Sequence, residues 1–446
     1  MRRTLIGVGA VGLVGTAWLA VPQGPEPEVR QAGAILRVRE EPHTRAPVVG
    51  RLAPEAAFPV YGRAEPTSGC QDGWGEVGGG WSCLDGTRTS DAPVRPQPRR
   101  IAFDPPTPEE SKDYFRTGAW PRDPVDEGEG LLPFVYGKRW LQFAGAEHAS
   151  VDDFLADRPL APLGGFTKYA FTDVIETPKG TVLARPDGHV VPLDGVWIYP
   201  VTRFVGVDLR ATSPPEGAVP AWAIRRAGLD LLPAPDAKAE PVATLAYHAQ
   251  LWALPQAEAP DGWLRVQAPD GTGGWVRRSG GLRVWQEAGP PEEVADDELW
   301  VDVDLQQQIL ALRQGAALRH VTLVSTGTRG HETPTGRFRV MDKAAWWDMA
   351  SLPESTQPYH LERVPWVVHF WPRYALHAAF WHDGFGQVVS HGCVNLAPRD
   401  AQVIFDALSP TLPPGWWTAE ATEARPGTLI RVREGRRTDV PDRTRR

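Results

Sequence analysis

The sequence predicts a mainly β, multidomain protein, with two small β-barrels and a β-rich C-terminal domain that carries a few helices. Three observations carry that prediction. At 446 residues the chain exceeds what one core ordinarily organises, about 150 residues per domain. Its 45 Gly and 45 Pro supply turns throughout. Its 19 Trp fall among short apolar runs that suit half-buried strands, whereas stretches of helical period are few. With 42% hydrophobic and 23% charged residues, the composition excludes wholesale disorder and a multi-span membrane protein. A net charge of −8 lacks the basic footprint of a nucleic-acid binder.

At the N-terminus, Arg2 and Arg3 precede an apolar run from Leu5 to Val21, which ends at Pro22 and Pro25. Residues 1–28 read first as a cleaved export signal and second as an uncleaved membrane anchor. A run of roughly 17 residues lies between the length of a signal h-region and that of a spanning helix, so both readings stay open. The cysteines agree with export. Cys70 and Cys83 flank a Trp- and Gly-rich hairpin-like stretch and suit a disulfide formed in an oxidising compartment. Such a link contributes roughly 3 kcal/mol in the chain-entropy model. Cys393 is left over, and an unpaired thiol in an exported protein is either buried and inert or chemically used.

Residues 29–94 alternate short apolar runs with turns: Ile35–Val38, Val48-Val49, Phe58–Val60 and Trp74–Val77. Residues 238–288 repeat the layout. Asp72-Gly73-Trp74 is followed by Glu76-Val77 in the first copy, and Asp261-Gly262-Trp263 by Arg265-Val266 in the second. Asp-Gly supplies a tight turn, and the Trp and Val that follow suit a half-buried strand. Both segments resemble bacterial SH3-like domains, small barrels often found beside wall enzymes. Between them, residues 95–237 hold most of a Pro-rich linker (Ala92 to Pro108) and a β-rich region with strands around Tyr169–Phe171, Val174-Ile175, Thr181–Leu183 and Val190-Val191. No chemistry is assigned there: His148 and His189 are lone histidines that suit surface or core roles. Residues 435–446 read as a solvated basic tail.

The C-terminal module spans 298–434. Trp300–Asp304 reads as a strand, Gln306–Leu312 as its hairpin partner and Val321–Gly327 as the next strand; Phe338–Val340 follows a turn, and Gly427–Val432 closes the domain. Pro398–Leu408 is the helix, with Pro398 in its first turn and Ala401, Ile404, Phe405 and Leu408 on one face. Seven of the 11 histidines fall in this module, together with Cys393. A nearby histidine can take the thiol proton or hold a thiolate beside an imidazolium, lowering the thiol from about 8.5 to below neutrality. Gly392 permits a tight bend, so the amides of Gly392 and Cys393 are candidate oxyanion donors, each worth roughly 3 to 4 kcal/mol in other systems. A zinc hydrolase is disfavoured, since the histidine spacings are irregular and no H-E-x-x-H occurs. No metal set and no cofactor are assigned.

Tyr374-Ala375-Leu376-His377, then Trp381-His382-Asp383-Gly384-Phe385-Gly386, then Ser390-His391-Gly392-Cys393-Val394-Asn395 together resemble the signature of the L,D-transpeptidase (YkuD-type) catalytic domain. The likeness extends upstream to Val324-Ser325-Thr326-Gly327, Thr333-Pro334-Thr335-Gly336, Met349, Tyr359 and Val364-Pro365-Trp366, and covers about Leu299 to Val432. It implies Cys393 as nucleophile, His377 as general base and acid, and His391, just before Gly392, as a residue shaping the thiol environment. By the same resemblance Ser390 and Asn395 hold the loop or bind substrate, and Tyr359, Met349 and Trp381 line the donor cleft or its flap. One position departs: Ala378 stands where the family usually has Gly. A carbonyl there orients the base histidine, which Ala also allows, while the added methyl narrows the cleft or alters substrate choice.

The implied activity is acyl transfer without a cofactor, on peptidoglycan stem peptides, in the periplasm or cell envelope, with a part in wall biogenesis and cell shape. Attachment of a wall protein, exchange with a free D-amino acid and hydrolysis are variants that the family also admits. A non-catalytic wall-binding protein with a dead domain is the competing reading.

Overall fold

The computed structural model describes residues 27–97, 131–139, 146–255, 260–353 and 358–444. The N-terminal export or anchor segment up to residue 26 and part of the Pro-rich linker lie outside them. Among the described residues, no helix is long and apolar enough to cross a membrane. The chain is mostly β, with α-helices at Val151–Leu155 and Pro398–Ala407.

In the C-terminal domain, Leu299–Asp304 forms a hairpin with Ile309–Gln314 and pairs in parallel with Leu429–Arg433. The partner strand starts three residues later than the sequence suggests. Asp304 Oδ1 accepts the amides of Gln306 and Gln307, and Gln308 adopts φ +53°, so these residues make the turn. A long hairpin, Asp342–Ala350 with His360–Trp371, leads into Tyr374–Ala378, which pairs in parallel with Val394–Leu396. Val394–Leu396 then pairs with the end of Ala317–Ser325. The helix Pro398–Ala407 follows, packing Ala401, Ile404 and Phe405 into the core with Val301, Val303, Val367 and Phe370. Buried Lys343 donates to the Leu408 carbonyl at 2.7 Å, satisfying an orphan group at the helix end.

Three accessory regions grip this domain. In the first, Val48–Leu52 pairs antiparallel with Trp416–Glu420, so one sheet runs across the boundary and Trp416 and Ala419 join the core of Val38, Phe58 and Leu84. Gly50 makes the approach possible: a Cβ there would lie 2.3 Å from the Trp416 ring. Cys70 and Cys83 form a disulfide with a Cα separation of 5.7 Å. In the middle region, Thr167–Phe171 pairs with Val135–Arg139 and, in parallel, with His360 and Leu361. Tyr136 stacks on Phe380 at 3.6 Å between centroids and donates its hydroxyl to the Arg363 carbonyl at 2.6 Å.

The third region corrects the expected start at 238. Its five-stranded sheet runs Gly273–Arg277, Trp263–Gln267, Gln250–Ala253, Val219–Ala223, Leu282–Val284. Val219–Ala223 lies between two later strands and fills the core with Ala221 and Ala223, so the unit cannot close without residues upstream of 238. The C-terminal tail is also docked rather than solvated. Arg337 N–H donates to the Pro441 carbonyl at 2.8 Å, and the Arg443 guanidinium lies 5.2 Å over the Trp371 ring.

Candidate active site

Parallel pairing sets His377 opposite Asn395. Side chains alternate along a strand, so paired residues share a face and so do residues two apart. Cys393 lies in the bend directly before that strand, two residues ahead of Asn395. The loop between the two strands, 379–393, is held at several points. Ser390 Oγ donates to the Cys393 carbonyl at 2.6 Å and accepts the Gly392 amide at 3.0 Å. Thr333 Oγ1 donates to the Gly392 carbonyl at 2.7 Å and accepts the Gly327 amide at 3.0 Å. The upstream Val-Ser-Thr-Gly and Thr-Pro-Thr-Gly motifs are thus the scaffold of the cysteine loop. Gly392 adopts φ +115°, and a Cβ there would lie 2.6 Å from the Tyr374 ring, so both conformation and space require glycine.

One expected oxyanion donor is lost: the Gly392 amide is committed to Ser390 Oγ. The Cys393 amide has no acceptor among the described residues and remains available.

His377 is buried, 2% exposed, and its Nδ1 donates to the Ala378 carbonyl at 3.0 Å. That bond fixes the neutral tautomer with Nε2 as the basic nitrogen. Burial pushes the imidazole down to about 4 and the Cys393 thiol up to about 11. The Ala375 amide offsets only part of the thiol shift. Cys393 S–H points to the Arg373 carbonyl, 3.8 Å away. Burial thus works against both the thiolate and the imidazolium. Motif chemistry left open proton transfer to a histidine and a thiolate–imidazolium pair, and burial favours the first.

Residues 298–432 match the YkuD family model, the L,D-transpeptidase catalytic domain. Among solved structures, the crystal structure of an Enterococcus faecium L,D-transpeptidase mutant shares 20% identity with TM-score 0.25, over 31% of this chain and 50% of that one. An L,D-transpeptidase from Stackebrandtia nassauensis shares 22% with TM-score 0.23, over 32% and 59%. One from Mycobacterium smegmatis shares 17% with TM-score 0.26, over 53% and 90%. The chain thus spans about half the length of the first of these. No curated protein matches.

Trp381, Asn395 and His382 gather around His377. The Trp381 ring lies 5.7 Å from that of His377. Gly384 N–H donates to His382 Nδ1 at 3.1 Å, and Asn395 Nδ2 lies 2.9 Å from His382 Nε2. Asn395 is thereby tied to the loop. Exposed His391 has its ring 5.5 Å from that of Tyr359 and 4.7 Å from that of His331. Tyr359 is pushed up by burial and then by Cys393. Met349 pairs with Leu361 in the long hairpin and packs against the domain core. Sequence reasoning missed Thr333 as an individual anchor, and also Arg373 and His331, which carry no signal apart from the loop they contact.

Proposed function

We propose that this chain is an exported peptidoglycan L,D-transpeptidase of the periplasm or cell envelope, with Cys393 as nucleophile and His377 as base and acid. The observation that carries the reading is the parallel pairing of the His377 strand with the strand that Cys393 leads into, with His377 Nδ1 tied to the Ala378 carbonyl and Nε2 left to move protons. Because both groups rest neutral, thiol deprotonation accompanies attack rather than preceding it. Cys393 Sγ bonds to the carbonyl carbon between the third stem residue and the terminal D-alanine while His377 Nε2 takes the thiol proton. The Cys393 amide receives the oxyanion. His377 then protonates the leaving amine, D-alanine departs and a thioester remains. The side-chain amine of a neighbouring stem attacks the thioester, giving up its proton through His377 as Cys393 leaves, and a 3→3 crosslink results. The two small accessory units, read as SH3-like modules, hold the enzyme to wall material.

Whole wall incubated with the wild-type protein should yield new 3→3 dimers in muropeptide analysis, and Cys393→Ala should yield none. Equal dimers from both would sink the mechanism. A carbapenem adduct on Cys393, seen by mass spectrometry, separates a live thiol from a dead domain.

A further inference from the structure

The middle region carries a charge arrangement that folding alone does not favour. Lys168 lies directly across from Lys138 in the antiparallel pair Thr167–Phe171 with Val135–Arg139. Like charges placed opposite each other in a sheet repel. Lys138 Nζ gains partial relief from the rings of Trp197 and Tyr199, 5.9 and 5.8 Å away. Lys168 is half-buried and has no carboxylate partner among the described residues, and burial and Lys138 both push its ammonium down. Glu362, on the neighbouring strand, is engaged elsewhere: it accepts from the Ala170 amide and pairs with Arg185.

The same strand brings this charge to the catalytic face. Lys168 pairs in parallel with Leu361, in the first residues of the strand that follows Tyr359. Tyr359 stands against His391, and His391 feels the charges of His331 and Lys168. In a chain with a net charge of −8, Lys138 and Lys168 stand opposite each other, and among the described residues no salt bridge joins either to an acid. An uncompensated, partly desolvated ammonium calls for an anion.

We propose that Lys168, backed by Lys138, is an anion subsite in the wall of the active-site cleft that takes the terminal carboxylate of the stem tetrapeptide. The choice of that carboxylate rests on the transpeptidase reading, in which the D-alanine carboxylate lies one residue from the scissile carbonyl. The middle region thereby becomes part of substrate recognition, and Lys168 a specificity residue.

The test uses the full chain carrying Cys393→Ala, so that binding is read without turnover. Its probes are a stem tetrapeptide ending in free D-alanine and the same peptide ending in a carboxamide. By calorimetry the acid should bind about tenfold tighter than the amide, the scale of one charge-assisted contact. Adding Lys168→Ala should abolish that preference, and Lys168→Arg should keep it. Since Lys168→Ala removes a repulsion, circular dichroism should show the variant folded. The same preference with and without Lys168, or no preference in the parent, overturns the subsite. Release of D-alanine by the wild type is measured separately. If none is released while the Lys168-dependent preference persists, the transpeptidase reading fails and the anion site stands.

Discussion

The two small accessory units hold the catalytic domain in different ways. The N-terminal unit is joined through backbone, by the pairing of Val48–Leu52 with Trp416–Glu420 on the far side of the domain's sheet from Val394–Leu396. The second unit is joined through side chains, and it grips the loop between His377 and Cys393. Tyr247 Oη donates to the Asp383 carbonyl at 3.0 Å, Arg283 Nε to the Gly386 carbonyl at 2.8 Å, and His248 Nε2 to the Phe385 carbonyl at 3.1 Å. Backbone continuity extends a sheet and its core, whereas side-chain docking can set the shape of a loop. The first unit therefore bears on stability and the second on both stability and activity.

Phe385→Ala should break the second contact most severely. Phe385 is fully buried, with the His382 and Phe204 rings 5.1 and 6.2 Å away, in a cluster shared with Trp222 and Trp252. Truncating a buried Phe costs about 3 to 5 kcal/mol. Denaturant unfolding should register that loss, and transfer activity of the folded fraction should fall because His382 and Asn395 lose their support. Full activity in the folded fraction would show that the second unit does not shape the loop.

Gly50→Ala tests the backbone seam. Its new Cβ would meet the Trp416 ring at 2.3 Å and the Thr418 carbonyl at 2.4 Å, and forced overpacking of this kind costs about 1 to 3 kcal/mol. Unfolding should shift by that amount while kcat of the folded protein stays at the wild-type value. A drop in kcat with unchanged stability would reverse the roles assigned to the two units.

This contrast was only partly legible in the sequence. The helix at Pro398–Ala407 followed from apolar spacing, and most strands from alternation, because those signals are local. The cysteine loop was legible through its motif, down to the Ala378 carbonyl that orients His377. Pairings between distant segments were not. Nothing in Val219–Ala223 announces a partner near residue 250, and Lys168 on a short strand looks like an ordinary solvated lysine until His360 and Leu361 are set beside it. The state of the thiol was not legible for the same reason. Neighbouring histidines argue for a thiolate, but burial depends on how the whole sheet packs.

The smallest effect separates the two contacts by pH. His248 is the histidine of the second contact; Asp383 and Arg226 act on it and the Tyr247 ring stacks on it at 3.8 Å. Burial holds its imidazole below the ordinary histidine range. In the unfolded chain it takes a proton first as pH falls through about 6.5. Stability from this residue is therefore full above that pH and declines as pH drops toward the folded value. The N-terminal seam pairs Arg51 with Glu420 and holds no histidine at its strand pairing, so it adds no such slope. His248 sits at φ +65°, a conformation that Asn tolerates, so His248→Asn removes the titration without straining the backbone. Its stability cost at pH 8 should be about 1 kcal/mol, the net value of one hydrogen bond. The gap between wild type and variant should narrow as pH falls below 6.5. A constant gap from pH 8 to pH 5 would remove His248 from the docking contact.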